Sequence, residues 1–277
     1  MDAPLNQVFT PVTFQELFST WNRFTNAVIY AGGTNLIGIQ EKNILNLPPI
    51  LISLDKIPEL HRITRTEHYL EIGSMVKLNK LISLGKTVPK VLRDCLENIA
   101  GVQLRNVATI GGNICSLRLL NIPAPLVALD AQYEFKNSAN NSRWVSAARF
   151  HSPLEQTSVN SQELLTRIRL PLHQWDYTVY KKITANDYFD NDALVFLAKT
   201  KKDVLSEIRV IYKKDTILRN KSGENILNGK SLPLNRKTAD DFIDNWIEFI
   251  NQKKELTDFD KNIIISNIKD NIYNLSE

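Results

Sequence analysis

Glycine is scarce in this chain, ten residues among 277, and four of the ten stand in two adjacent pairs, Gly32-Gly33 and Gly111-Gly112. Ordinary usage of roughly 7% would give about twice as many. Glycine concentrated in this way marks positions where the backbone needs positive φ or where a Cβ cannot fit. The first pair follows the apolar run Ala27 to Ala31, which reads as a buried strand entering a tight loop. Small polar residues flank both pairs, Thr34 and Asn35 at the first, Thr109 and Asn113 at the second. A strand, a glycine pair and a hydroxyl suit a loop whose backbone amides turn toward an anion such as a pyrophosphate. Two ordinary tight turns would explain either pair taken singly. The shared Thr and Asn flanks favour the cradle.

The remaining constellations exclude more than they suggest. There is no Gly-x-Gly-x-x-Gly, no phosphate loop ending in Gly-Lys-Ser/Thr, no Gly-x-Ser-x-Gly and no His-Glu-x-x-His. Two cysteines twenty positions apart, Cys95 and Cys115, rule out a four-cysteine cluster or zinc site supplied by this chain alone. Cys115 is expected to be a small buried hydrophobe beside the second glycine loop. His61, His68, His151 and His173 show no ligand spacing and read as surface residues; Asp190-Asn191-Asp192 reads as a turn. Lys+Arg 34 against Asp+Glu 30, with the basic pairs scattered, gives no nucleic-acid footprint. With 43% hydrophobic and 23% charged residues, no long apolar run and no leader-like N-terminus, the expectation is a cytoplasmic protein with reduced thiols and no membrane segment.

Periodicity predicts a helix from Phe14 to Phe24 opened by the capping box Thr13-Phe14-Gln15-Glu16, and helices over Lys77 to Leu84, Val91 to Ala100 and Pro125 to Ala131. Strands are expected at Ile50 to Leu54, Tyr69 to Gly73, Gln132 to Lys136, Arg143 to Ser146 and Leu164 to Leu170. From Tyr177 the texture changes to a three-stranded meander, Tyr177 to Ile183, Ala193 to Thr200 and Ser206 to Tyr212, followed by helical patterns. A domain boundary is placed near Pro171 to Asp176.

The segments Ala31-Gly32-Gly33-Thr34-Asn35-Leu36-Ile37 and Arg105-Asn106-Val107-Ala108-Thr109-Ile110-Gly111-Gly112-Asn113-Ile114 resemble the two flavin loops of the FAD-binding subunit of molybdenum hydroxylases, the family of xanthine dehydrogenase and carbon monoxide dehydrogenase. The similarity continues through Glu71-Ile72-Gly73-Ser74 and Leu126 to Ala131, and more loosely into Leu227-Asn228-Gly229-Lys230. The resemblance implies an α+β chain: a PCMH-type FAD-binding fold of two α/β subdomains, about 1–55 and 56–175, then a small C-terminal domain, 176–277, of a three-stranded sheet and a helical bundle. It implies that Gly32, Gly33, Thr34, Asn35 and Leu36 face Ala108, Thr109, Gly111, Gly112 and Asn113 across the pyrophosphate and ribityl of FAD. It places Ile99 against the adenine or ring, and carries over Leu170 and Lys182 as further cofactor contacts. The family's Ala-Ser-Pro and cofactor-binding Asp are missing, and Asn121 falls at the Asp position.

The resemblance further implies electron transfer without a catalytic side chain. A molybdenum-cofactor subunit oxidises the substrate, a 2Fe-2S iron–sulfur subunit relays electrons, and FAD delivers them to NAD(H) or another acceptor. Lys182 would bias reduced flavin electrostatically, or be a solvated strand lysine. Two rivals are a non-catalytic nucleotide-binding or assembly module of the same fold, and a flavin enzyme similar to UDP-N-acetylenolpyruvoylglucosamine reductase, whose second loop departs from Arg105 to Ala108.

Overall fold

The computed structural model describes residues 6–38, 46–152, 162–184 and 191–275. The chain divides into two compact units, Met1–Leu172 and His173–Glu277.

The first unit opens with β1 (Gln7–Phe9), α1 (Phe14–Arg23), β2 (Val28–Tyr30), α2 (Thr34–Gly38) and β3 (Ile50–Ser53). Helix α1 starts where Thr13 accepts a hydrogen bond from the Glu16 amide at 3.2 Å, and the Glu16 carboxylate reaches back to the Val12 amide at 2.9 Å. The box therefore closes one residue earlier than the usual pattern. Leu17 and Phe18 on its inner face are buried with Ile52, Leu54 and Ile57. The strands form a parallel sheet in the order β1-β3-β2, with Tyr30 opposite Ser53. In such sheets the loops beyond the carboxyl ends of the strands are where ligands bind, and Gly32-Gly33 occupies that place after β2.

Next come β4 (Ile63–Arg65), β5 (Tyr69–Gly73), α3 (Leu78–Ser83), α4 (Lys90–Glu97), α5 (Val102–Arg105), α6 (Ile110–Ile114), α7 (Pro123–Ala128), β6 (Gln132–Lys136), β7 (Ser142–Ser146), α8 (Ala147–Phe150) and β8 (Leu164–Pro171). The strands make an antiparallel sheet in the order β4-β5-β8-β6-β7, so β8 closes a gap between strands separated by five helices. Its alternation explains the placement: Ile168 and Leu170 are fully buried, while Arg167 and Arg169 line the other face with Glu71, Glu134 and Trp144. There Glu134 is buried, which alone would raise its carboxyl, but hydrogen bonds from Arg167 and Thr166 outweigh burial and hold it below its usual range.

The second unit contains β9 (Tyr177–Thr184), β10 (Asn191–Lys201), β11 (Val204–Lys213), β12 (Ile217–Arg219), α9 (Lys221–Leu227), α10 (Arg236–Asn251) and α11 (Asp258–Tyr273). Its antiparallel sheet has the order β12-β11-β10-β9. The expected meander is present, and the short β12 adds a fourth strand that three residues of pattern are too few to reveal. Phe242, Trp246 and Ile250 of α10, spaced one turn apart, pack with Ile264, Ile268 and Ile272 of α11 against Phe196, Val210 and Tyr212. Asn191 and Asp192 open β10 rather than a turn, and Asp192 accepts a hydrogen bond from Tyr212 at 2.9 Å; Asp190 lies outside the described residues. Among the described residues no helix is long and apolar enough to cross a membrane.

Candidate functional site

The two glycine loops touch. A Cβ on Gly32 would collide with the carbonyl oxygen of Val107 and lie 3.2 Å from the Ala108 Cα, and one on Gly112 would lie 3.8 Å from the Ala31 Cβ. Gly32 is thus a packing glycine that lets the first loop rest on the backbone of the second. Gly33 has φ of +71°, and the Tyr30 ring lies against it where a Cβ would be. This turn redirects the chain into α2, whose Ile37 amide bonds back to the Gly33 carbonyl at 2.9 Å. The Thr34 and Asn35 amides stand in the first turn of that helix, where the backbone offers no intrahelical acceptor.

The second loop behaves differently. Thr109 caps α6, its hydroxyl accepting from the Gly112 amide at 3.0 Å. The Ile110 amide bonds to the Val76 carbonyl, Gly111 to Ser74 at 2.8 Å, and Asn113 to the Thr109 carbonyl at 3.1 Å. Every amide from residue 110 to 113 is therefore committed within the protein, and the expectation that both loops present free amides is corrected. What the second loop offers is shape and side chains. Gly111 is buried with Ser74 against it, whereas Gly112 is exposed and faces only the Thr109 and Ala31 side chains. The Asn113 side-chain oxygen accepts from the Ile122 amide at 3.3 Å, which leaves its NH2 group to donate.

Around this loop several polar groups are buried without protein partners. The hydroxyls of Ser74 and Ser116 are buried with no hydrogen bond, and Asn121 is 8% exposed. Unpaired buried polar groups are uncommon because each forfeits its hydration without replacement. A ligand rich in oxygen atoms, such as a polyol or a phosphate ester, would satisfy them. Residues 31–38 and 106–116 contain no charged side chain, so the loops themselves bind through dipoles and shape.

Other expected positions distribute unevenly. Ala108 is half-buried, and its carbonyl accepts from Leu78 at 3.0 Å. Ile99 is half-buried too, held by a residue that motif reading left without a role. Arg105 donates through one guanidinium nitrogen to the carbonyls of Glu97, Ile99 and Ala100 at 3.1, 2.9 and 2.7 Å. It thereby fixes the end of α4, where Ala100 takes φ of +46°. Leu170 is 0% exposed, opposite Leu70 in the sheet, so its side chain is core. Lys182 belongs to the second unit, half-buried on β9 opposite Ala193. Leu36 lies half-buried within α2.

Behind the second loop lies a small titratable cluster. Cys115 is exposed as a residue, contrary to the expected buried hydrophobe, yet burial of its thiol pushes it up to about 12. It stays protonated and is a poor nucleophile. Burial, and then the proximity of Cys115, drives the Tyr133 phenol well above its usual value. The Tyr133 hydroxyl shares a 3.1 Å hydrogen bond with His151 Nε2. Burial holds His151 down to about 4, so it is neutral and packed against Phe150 rather than a surface group; His61, His68 and His173 are exposed as expected.

Over residues 4–173 the sequence matches the family described as the FAD binding domain in molybdopterin dehydrogenase. It is 30% identical over 175 residues to xanthine dehydrogenase 2 of Arabidopsis thaliana, covering 59% of this chain but only 13% of that protein. It is 30% identical over 216 residues to the carbon monoxide dehydrogenase medium chain of Hydrogenophaga pseudoflava, 75% of this chain and 74% of that one. In structure it is similar to a chain of carbon monoxide dehydrogenase from the same organism, in a form lacking the Mo-pyranopterin moiety (TM-score 0.83, 23% identity, 100% and 98% of the two chains covered). Quinoline 2-oxidoreductase from Pseudomonas putida 86 gives 0.80 at 20% identity, covering 100% and 97%. These two likenesses are of fold.

Proposed function

The chain belongs to the FAD-binding domain family of molybdopterin dehydrogenases, and from that premise we propose that it is the flavoprotein component of a multisubunit molybdenum hydroxylase. Its partners would be a molybdenum-cofactor subunit that oxidises the substrate and a 2Fe-2S subunit that relays electrons, with NAD+ as the acceptor. Residues 1–175 are assigned as the FAD-binding domain, with subdomains 1–55 and 56–175, and 176–277 as the C-terminal domain. Neither cysteine is engaged in a disulfide, which suits a reducing cytoplasm.

The observation that carries this reading is the contact between the two uncharged glycine loops, ringed by buried polar groups without partners. When bound, FAD supplies the two-electron chemistry. The chain's residues hold it. The Thr34 and Asn35 amides donate to the pyrophosphate, with Gly33 giving the turn that aims them and Leu36 continuing the helix behind. Gly112 leaves room for the close approach, Thr109 and Gly111 fix the loop that presents it, and the Asn113 NH2 group donates from beside it. Asn121 hydrogen-bonds a ribityl hydroxyl, taking the place of a carboxylate without its charge. Ile99, clamped by Arg105, packs on an apolar part of the cofactor. Leu170 stays assigned as a further cofactor contact on the family resemblance alone. No side chain need move a proton.

Expression with candidate molybdenum and iron–sulfur subunits tests the assembly. A stable complex in which NADH bleaches the flavin band supports the proposal. A flavin-free chain that co-purifies would instead favour a non-catalytic assembly module.

A further inference from the structure

We propose that Lys77 supplies the positive charge for the ligand's diphosphate at the junction of the two glycine loops. The inference rests on the reading of those loops as a dinucleotide cradle, and it concerns a residue that the loop motifs do not contain. Lys77 and Thr109 form an isolated antiparallel bridge, with Leu78 bonding to the Ala108 carbonyl and Ile110 to the Val76 carbonyl, both at 3.0 Å. Because the flanking residues make those bonds, Lys77 and Thr109 are the closely spaced, non-hydrogen-bonded pair, whose side chains leave on the same side, about 5 Å apart. The Lys77 stem therefore emerges beside the hydroxyl that caps Gly112.

Its ammonium then reaches the segment after β3. Lys77 Nζ lies 4.0 Å from Asp55 Oδ1, and Asp55 follows β3, two residues past the Ser53 that pairs with Tyr30. Backbone bonds hold Asp55 there, its amide donating to Ser53 Oγ at 3.4 Å and its carbonyl meeting His61 Nε2 at 2.9 Å. Lys77 thus reaches from beside Thr109 to the end of β3, where the Leu54 amide bonds at 3.0 Å to the carbonyl of Tyr30, three residues before Gly33. The loops themselves carry no charge over 31–38 and 106–116, while a diphosphate brings two negative charges. The neighbouring cation Arg105 is committed to three carbonyls. A lysine–aspartate pair at 4.0 Å, 30% and 54% exposed, is weak and readily exchanged. A phosphate oxygen offers the ammonium a charge-assisted hydrogen bond.

The test is titration of FAD into the full chain, followed by flavin fluorescence at low and high salt, for wild type, Lys77→Gln, Lys77→Arg and Asp55→Asn. Lys77→Gln is expected to raise Kd at least about tenfold and to flatten its salt dependence, the loss of one charge-assisted bond. Lys77→Arg stays within about threefold. Asp55→Asn, which removes the competing carboxylate, tightens binding. Equal affinity in Lys77→Gln and wild type would overturn the assignment. Equal weakening in Lys77→Gln and Asp55→Asn, with a lower melting temperature of the ligand-free chain, would mark a purely structural pair and overturn it too. A folded wild type that takes up no FAD at either salt would overturn the dinucleotide reading itself, and Lys77 with it.

Discussion

A Cβ added at Gly111 would lie 2.7 Å from both the Cβ and the carbonyl oxygen of Ser74, while one added at Gly112, the next residue, would meet two side chains and no backbone, the Thr109 hydroxyl at 2.9 Å and the Ala31 Cβ at 3.8 Å. Gly111→Ala is therefore expected to destabilise the chain by about 1–3 kcal/mol, since backbone must shift to admit the methyl. Gly112→Ala should melt within a few degrees of wild type yet bind FAD much more weakly, because its methyl projects where the ligand approaches. Thermal melts paired with flavin retention separate the two; a Gly112→Ala chain that stays fully yellow would remove Gly112 from the cradle. Asn121→Ala should weaken FAD by about 1 kcal/mol, roughly fivefold in Kd, the loss of one hydrogen bond to the ligand. The glycine pairs were legible because glycine is rare here, but their division of labour was not. Which neighbour each one faces depends on Val107, Ser74 and Tyr30, brought close only by folding. Lys77 was invisible for the same reason, being thirty-two positions from the residue it bridges.

At the scale of elements, long periodic segments could be read and short ones could not. The pattern Phe14, Leu17, Phe18, Trp21 fixes α1, whereas α2, α5, α6 and α8 are four or five residues long, too short for a helical period to register. Those short helices carry the site, since α2 and α6 each begin at a glycine loop. The α8 helix is joined to β6 through His151 and Tyr133, a contact that makes stability depend on pH. His151 has a folded value of about 4 against an ordinary 6.5, because burial disfavours its charged form. The unfolded chain therefore takes up the proton first as pH falls. The contribution is fully present above about pH 6.5 and is lost progressively toward about pH 4, up to about 3 kcal/mol in all. Urea melts across that range should show this slope, and His151→Gln should flatten it. An unchanged slope in the variant would mean that other groups govern acid unfolding.

For the molecule as a whole, two units each enclose their own apolar cluster, one around Ile52 and Leu60, the other around Phe196 and Trp246. The α+β class came with the family resemblance that the two glycine loops carry, while the parallel pairing of β1 with β3 was not legible, since β1 is three residues long and largely exposed. The central claim is that this chain holds FAD between its two glycine loops. It is tested most directly by incubating the purified chain with FAD, removing the excess and measuring the visible spectrum, with the released cofactor identified by chromatography. The account predicts about one FAD per chain, a stoichiometry set by one cradle. A chain shown to be folded by circular dichroism that retains no flavin would contradict it.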